Sequence, residues 1–174
     1  MTTTAERVTV SSNSAPSVPR LRLEPTLSRR TLLDGGWWPR STDPVAELPG
    51  LILALDDRRG PVTRVMLGPA GWDSRPRLLG VAGRVVRLGW FTTQPVGLLT
   101  AICANRDRVD LLVVPPNTGV VTAWAAMGLA ARAANTIHTP DILTALTGRR
   151  TPKAETAPET VWESEGGHLR GSGV

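Results

Sequence analysis

Residues 97–114, GLLTAICANRDRVDLLVV, decide how this chain is read. Two apolar runs, Gly97–Cys103 and Arg108–Val114, flank the polar tetrapeptide Ala104-Asn105-Arg106-Asp107. Short runs rich in Leu, Val and Ile, broken by Asn and Asp, are strands joined by a hairpin turn. Val109, Leu111 and Val113 should share the buried face of the second strand. The segments before the hairpin repeat the pattern. Val62–Leu67 (VTRVML) places Val62, Arg64 and Met66 on one face and Thr63, Val65 and Leu67 on the other. Leu78–Val81 follows, then Gly83–Phe91, where Val86, Leu88 and Trp90 share a face. Arg20–Leu23 (RLRL) is a further short strand. Strands that follow one another through short links pair antiparallel.

Helix signals surround these strands. Asp43 suits an N-cap and Pro44 the first helical position. Leu48, Leu51, Ile52 and Leu55 then fall on one helical face, and Pro49 is expected to kink it. Asp56, Asp57, Arg58 and Arg59 read as a solvated helix end. A second helix, 119–134, carries Val120, Trp124, Met127 and Ala131 in one stripe. A third, 140–147, should bury Ile142, Leu143 and Leu146. The expected fold is α+β: a mainly antiparallel sheet of five or six strands, with the three helices packed on one face. Residues 1–19 and 149–174 are polar and read as a disordered N-terminal segment and a disordered acidic tail. Residues 20–148 form the single domain.

Charge and composition exclude several function classes. The net charge is +5, and Lys153 is the only lysine. Residues 20–150 are at +7 and residues 151–174 at −2. A basic body attracts phosphates or acidic proteins, but no dense basic run specifies nucleic acid. One cysteine, Cys103, excludes an intramolecular disulfide framework and fits a reducing cytoplasm. The start lacks the pattern of a signal peptide, and no apolar run is long enough to span a bilayer. The expected localisation is cytoplasmic.

No catalytic or metal signature stands out. Cys103, His138 and His168 do not make a metal-ligand set. Nucleophile-elbow, Walker and dinucleotide glycine patterns are missing, so no cofactor is expected. The distinctive chemistry lies in Ser28–Ser41, SRRTLLDGGWWPRS. Asp34-Gly35-Gly36 reads as a flexible turn with φ > 0, and Pro39 holds Trp38 extended. Extended Trp37 and Trp38 point to opposite sides, so one belongs to the core; Trp38 is expected outward beside Arg40. A second Gly/Pro-rich loop, GPAGWDSRP, carries Trp72, Asp73 and Arg75. Trp and Arg dominate binding hot spots. The candidate binding residues are Asp34, Trp37, Trp38, Arg40, Trp72, Asp73 and Arg75. The first functional reading is a noncatalytic binding module for an acidic protein or anionic ligand. The second is a nucleic-acid-associated protein that adds the wet sheet face. The third is a small enzyme with a site near Asp34, Arg40 and Asp73. Arg64, Arg87, Arg108 and Asp110 are expected to pair across strands on that wet face.

Four blocks carry a resemblance: RLRLEPTLSRRTLLDGGWWPRS, ELPGLILALDDRRGPVTRV, GRVVRLGWF and RVDLLVVPPNT. Together they resemble an uncharacterised domain family frequent in actinobacteria, over about residues 20 to 147. The resemblance supports the domain boundaries and implies no activity, ligand or catalytic residue.

Overall fold

The computed structural model of the protein describes residues 8–25, 31–95, 97–132 and 138–147. Its centre is one eight-stranded sheet. In chain order the strands are β1 (Thr9–Ser11), β2 (Arg20–Leu23), β3 (Gly35–Trp38), β4 (Val62–Leu67), β5 (Leu78–Val81), β6 (Arg84–Trp90), β7 (Leu98–Cys103) and β8 (Arg108–Val113). Their spatial order is β1-β5-β6-β4-β7-β8-β3-β2. The expected hairpin is present as β7–β8, with Leu99 opposite Leu111 and Ala101 opposite Val109. A second hairpin, β5–β6, turns through Ala82 and Gly83, at φ 48° and 78°. Positive φ at both central residues matches the right-handed strand twist.

The sheet is mostly antiparallel, as expected, but it has eight strands rather than five or six and includes parallel pairs. β1–β5, β3–β8 and β4–β6 pair parallel, and the other four pairings are antiparallel. For β3 and β8 the physical reason is the helix α1 (Pro44–Arg59) between β3 and β4. It carries the chain across one face, so β3 and β4 can run the same way, three strands apart. Thr9–Ser11, in a segment placed outside the domain by composition, pairs with β5 at the sheet edge.

Helices cover both faces, which corrects the expectation of one. α1 packs on the face that carries Trp37, Val65, Leu88, Leu99 and Leu111. α2 (Val120–Ala130) and α3 (Thr139–Thr147) pack over β8 and β3 on the other face, against Trp38, Leu112 and Val114. Leu111 and Leu112 are therefore both fully buried, one in each layer. Ile142 of α3 is buried as expected, while the side chains of Leu143 and Leu146 lie outside the described residues. So do the acidic tail and its Trp162 and His168.

Local chemistry explains the elements. Asp43 caps α1 through its side chain, which accepts from Val45 N at 3.0 Å. The helix runs through Pro49 to Arg59. Asp56 is not a solvated end: its carboxylate accepts from Val62 N at 2.7 Å and pairs with Arg84 at 2.6 Å. A register shift between Val62 and Arg64 lets Val62, Val65 and Leu67 all enter the α1 layer. Gly35 and Gly36 are strand residues rather than a turn. A Cβ on Gly35 would strike the Arg22 carbonyl oxygen, and one on Gly36 would sit 2.8 Å from the Met127 Cα of α2. The pair is glycine because backbones approach closely there, not for φ > 0. Among the described residues no helix is long and apolar enough to cross a membrane.

Candidate functional site at the carboxyl ends of four strands

β3, β4, β6 and β8 all run in one direction, with β7 opposed between β4 and β8. Their carboxyl ends open on one crevice of about 570 Å³. Pro39, Ser41 and Thr42 come from the loop after β3, Leu67 ends β4, and Gly68 to Trp72 come from the loop after it. Thr92 and Gln94 follow β6, and Val113, Pro115, Pro116 and Asn117 end β8. Gly97 and Leu98 enter β7. In open sheets with parallel strands, ligands bind outside the carboxyl ends, where loops rather than strands meet. The volume lies inside the usual range for small-molecule sites. The lining is mainly apolar, with five uncharged polar side chains and no charged residue among those described.

The wall is built from the tryptophans. Trp72 is half-buried and stacks on Trp37, with centroids 6.0 Å apart and planes at 16°. Trp90 meets the Trp72 ring at an edge, 6.4 Å away at 67°, and its Nε1–H donates to Pro76 O at 2.8 Å. Trp37 itself is 1 % exposed. It thus acts as a fixed backing for Trp72. Trp38 works from the other layer and is 4 % exposed. Its Nε1–H donates to Pro115 O (3.2 Å) and Pro116 O (3.3 Å), which pins the loop after β8. The expectation that only one of the pair is core is corrected. Each face of β3 has its own helical layer, so both rings are buried.

Side chains outside the lining hold the loops. The Arg20 guanidinium lies 3.5 Å over the Trp38 ring and donates to Trp38 O and Pro39 O. Glu47, on the first turn of α1, accepts from Arg40 N (3.1 Å) and Ser41 Oγ (2.9 Å). Thr42 Oγ1 donates to Asp73 Oδ1 at 2.8 Å, and Asp73 N to Thr42 O at 3.0 Å. This joins the β3 loop to the β4 loop. Arg75 donates twice to Pro69 O and closes the β4 loop on itself.

The expected residues therefore separate into roles. Trp72 lines the crevice, Trp37 and Trp38 stand behind its walls, and Asp73 and Arg75 set the loops. Arg40 turns outward, and its guanidinium donates to Val18 O at 2.8 Å. Asp34 sits at the other end of β3. There Asp110 N donates to its Oδ2 at 2.8 Å, and Asp34 N donates to Asp110 O at 2.7 Å. Burial, with help from Asp110 and Glu24, holds the Asp34 carboxyl above the usual carboxylate range. The three groups named for an enzyme, Asp34, Arg40 and Asp73, are not brought to one point. Among the described residues no His, Cys, Asp and Glu set is placed to hold a metal ion. Cys103 is buried in the α1 layer. Burial, then the charges of Asp107 and Asp56, push its thiol above the ordinary range, away from the reactive thiolate.

Sequence reasoning missed Ser41, Thr42, Gln94 and Asn117. The cue available was positional: each stands where an apolar run meets Pro, Gly or Asp, which marks a strand end. Arg20 and Glu47 carry no such local cue.

No curated protein and no solved structure matches the chain. The family model DUF5994, described as a family of unknown function, matches residues 20–130. That match covers most of the chain, from β2 to the end of α2, and the protein belongs to this family.

Proposed function

We propose that the domain is a noncatalytic binding module whose ligand enters the crevice at the carboxyl ends of β3, β4, β6 and β8. One observation carries the reading. An apolar crevice of about 570 Å³ is faced by Trp72, whose ring is backed by the buried Trp37. A ring held from behind offers a flat surface without losing rotamer freedom on binding, and preorganisation of this kind favours affinity. The uncharged lining supports a neutral, largely apolar ligand with a planar group against Trp72 and hydrogen-bonding atoms towards Gln94 and Asn117. A charged ligand would leave water for a site with no counter-charge, which costs heavily. An anionic partner, the other occupant suggested by the basic composition, therefore fits the outer surface better than the crevice.

The test compares two probes that share one planar ring system and differ in charge. Saturation-transfer NMR with 2-naphthol and 2-naphthoate should show the neutral probe bound and the anion bound more weakly. Trp72→Ala should remove binding of 2-naphthol. Equal binding of both probes, or binding unchanged by Trp72→Ala, would refute the proposal.

A further inference from the structure

The half of the sheet that α2 and α3 leave open carries a charge arrangement that the crevice does not use. Arg64 of β4 and Arg87 of β6 are direct partners in the parallel ladder. Ile102 of β7 and Arg108 of β8 continue the same row. Adjacent strands lie ~4.8 Å apart, so the row from Arg108 to Arg87 spans about 14 Å. All three arginines are exposed. Among the described residues the ion pairs are Arg84–Asp56 and Arg108–Asp110. The expected cross-strand pairing is thus absent there: Arg108 pairs along its own strand, and Arg64 faces Arg87 with no carboxylate. Like charges directly opposite weaken a sheet. Beside the row lies an apolar strip, Met66 and the Phe91 ring, which covers Gly89 and is 46 % exposed.

We propose that this row is the docking site for the chain's own acidic stretch, residues 155–165, ETAPETVWESE. That stretch holds Glu155, Glu159, Glu163 and Glu165 and no cation, with Trp162 among them. It supplies what the row lacks: carboxylates for Arg64 and Arg87, and a large ring for the strip of Met66 and Phe91. Arginine matches carboxylate with two parallel hydrogen bonds. The helix that precedes the stretch lies on this side. α3 packs on α2, which lies on the same sheet face as the row, and α3 ends at Thr147. The eight residue steps from Thr147 to Glu155 reach up to about 28 Å when extended, roughly twice the length of the row. Each exposed ion pair is weak alone. A short tether raises the local concentration of the stretch to about the millimolar range, so weak pairs suffice.

The test uses the full chain. Ser164→Cys takes a nitroxide label, while Cys103, 2 % exposed, stays unmodified. Amide signals of Arg64, Met66, Arg87 and Phe91 should broaden. Replacing the four glutamates (Glu155→Gln, Glu159→Gln, Glu163→Gln and Glu165→Gln) should abolish the broadening. So should about 1 M salt, where screening acts over about 3 Å. Arg64→Glu with Arg87→Glu should abolish it too, and Lys at the four glutamate positions should then restore it. Broadening that is centred elsewhere, or that survives the glutamine replacements, overturns the proposal. Broadening that appears only between mixed labelled and unlabelled molecules assigns the face to a second copy and overturns it as well. A fluorescent oligo-dT that binds the full chain through Arg64 and Arg87, with no broadening from the tail, assigns the face to nucleic acid and likewise overturns it.

Discussion

Trp37→Ala and Trp38→Ala should each destabilise the fold by a similar, large amount. The two rings lie in different layers: Trp37 with Leu48, Leu99 and Leu111, and Trp38 with Leu112, Ala126 and Met127. A tryptophan buries roughly 150–250 Å². At about 25 cal/mol per Å² that is worth about 4–6 kcal/mol, an upper estimate because real unfolded chains already hide part of it. Measured large-to-small costs for Trp run at about 3–5 kcal/mol, cavity included. Urea denaturation followed by circular dichroism reads the loss directly, at an expected slope of about 1–3 kcal/mol per molar urea for a domain of this size. The phenylalanine variants separate packing from hydrogen bonding. Trp38→Phe keeps most of the apolar contact but loses the Nε1–H donor to Pro115 O and Pro116 O. That loss adds about 1 kcal/mol and loosens the loop after β8. If either alanine variant changes stability by less than about 1 kcal/mol, that ring is not core and the two-layer architecture is wrong.

Three further outcomes follow from the same geometry. Leu112→Ala should cost about 2–5 kcal/mol, as should Leu111→Ala, because the two neighbours are buried on opposite faces; a near-neutral Leu112→Ala in thermal or urea unfolding would remove the α2 layer. Asp34→Asn should leave the protein at least as stable as the parent at neutral pH, since the amide oxygen can still accept from Asp110 N. The folded-state carboxyl is raised, so ionised Asp34 costs stability: the parent loses it as pH rises from the unfolded value through the folded one, and the gap to Asp34→Asn should close on acidification. A gap that widens in acid contradicts this. Glu47→Ala should cost about 1.5–3 kcal/mol, the worth of a hydrogen bond to a charged group, and should weaken 2-naphthol binding by freeing Arg40 and Ser41; unchanged binding would mean that the β3 loop does not shape the crevice.

What the sequence made legible was local. The hairpin at Gly97–Val114, the alternation of Val86, Leu88 and Trp90, and the Asp43-Pro44 cap all stand in the structure as read. Each is encoded by neighbours a few residues apart. The parallel pairing of β3 with β8 joins Gly35 to Leu111, and no local pattern reports a contact of that span. One signal was present and can be read in physical terms. Leu111-Leu112-Val113-Val114 does not alternate, and a strand with apolar residues at every position is buried on both faces. Trp37-Trp38 says the same of β3. Gly35-Gly36 looked like a turn because glycine permits one, whereas here it permits the close approach of Arg22 and Met127. Trp72, Asp73 and Arg75 are legible as loop residues from their Gly/Pro stretch, and only Trp72 lines the crevice. Asp34 and Arg40 flank the tryptophans in sequence, but β3 carries Asp34 to its far end and the backbone turns Arg40 outward.

The crevice itself is tested most directly by mapping amide and indole chemical shifts of the ¹⁵N-labelled full chain as 2-naphthol is added. The Trp72 indole N–H and the amides of Ala70, Gly71, Gln94, Gly97 and Asn117 should shift together along one binding curve, while those of Arg64 and Arg87 stay in place. Shifts confined to any other surface, or no saturable shift around Trp72, would contradict binding in the crevice.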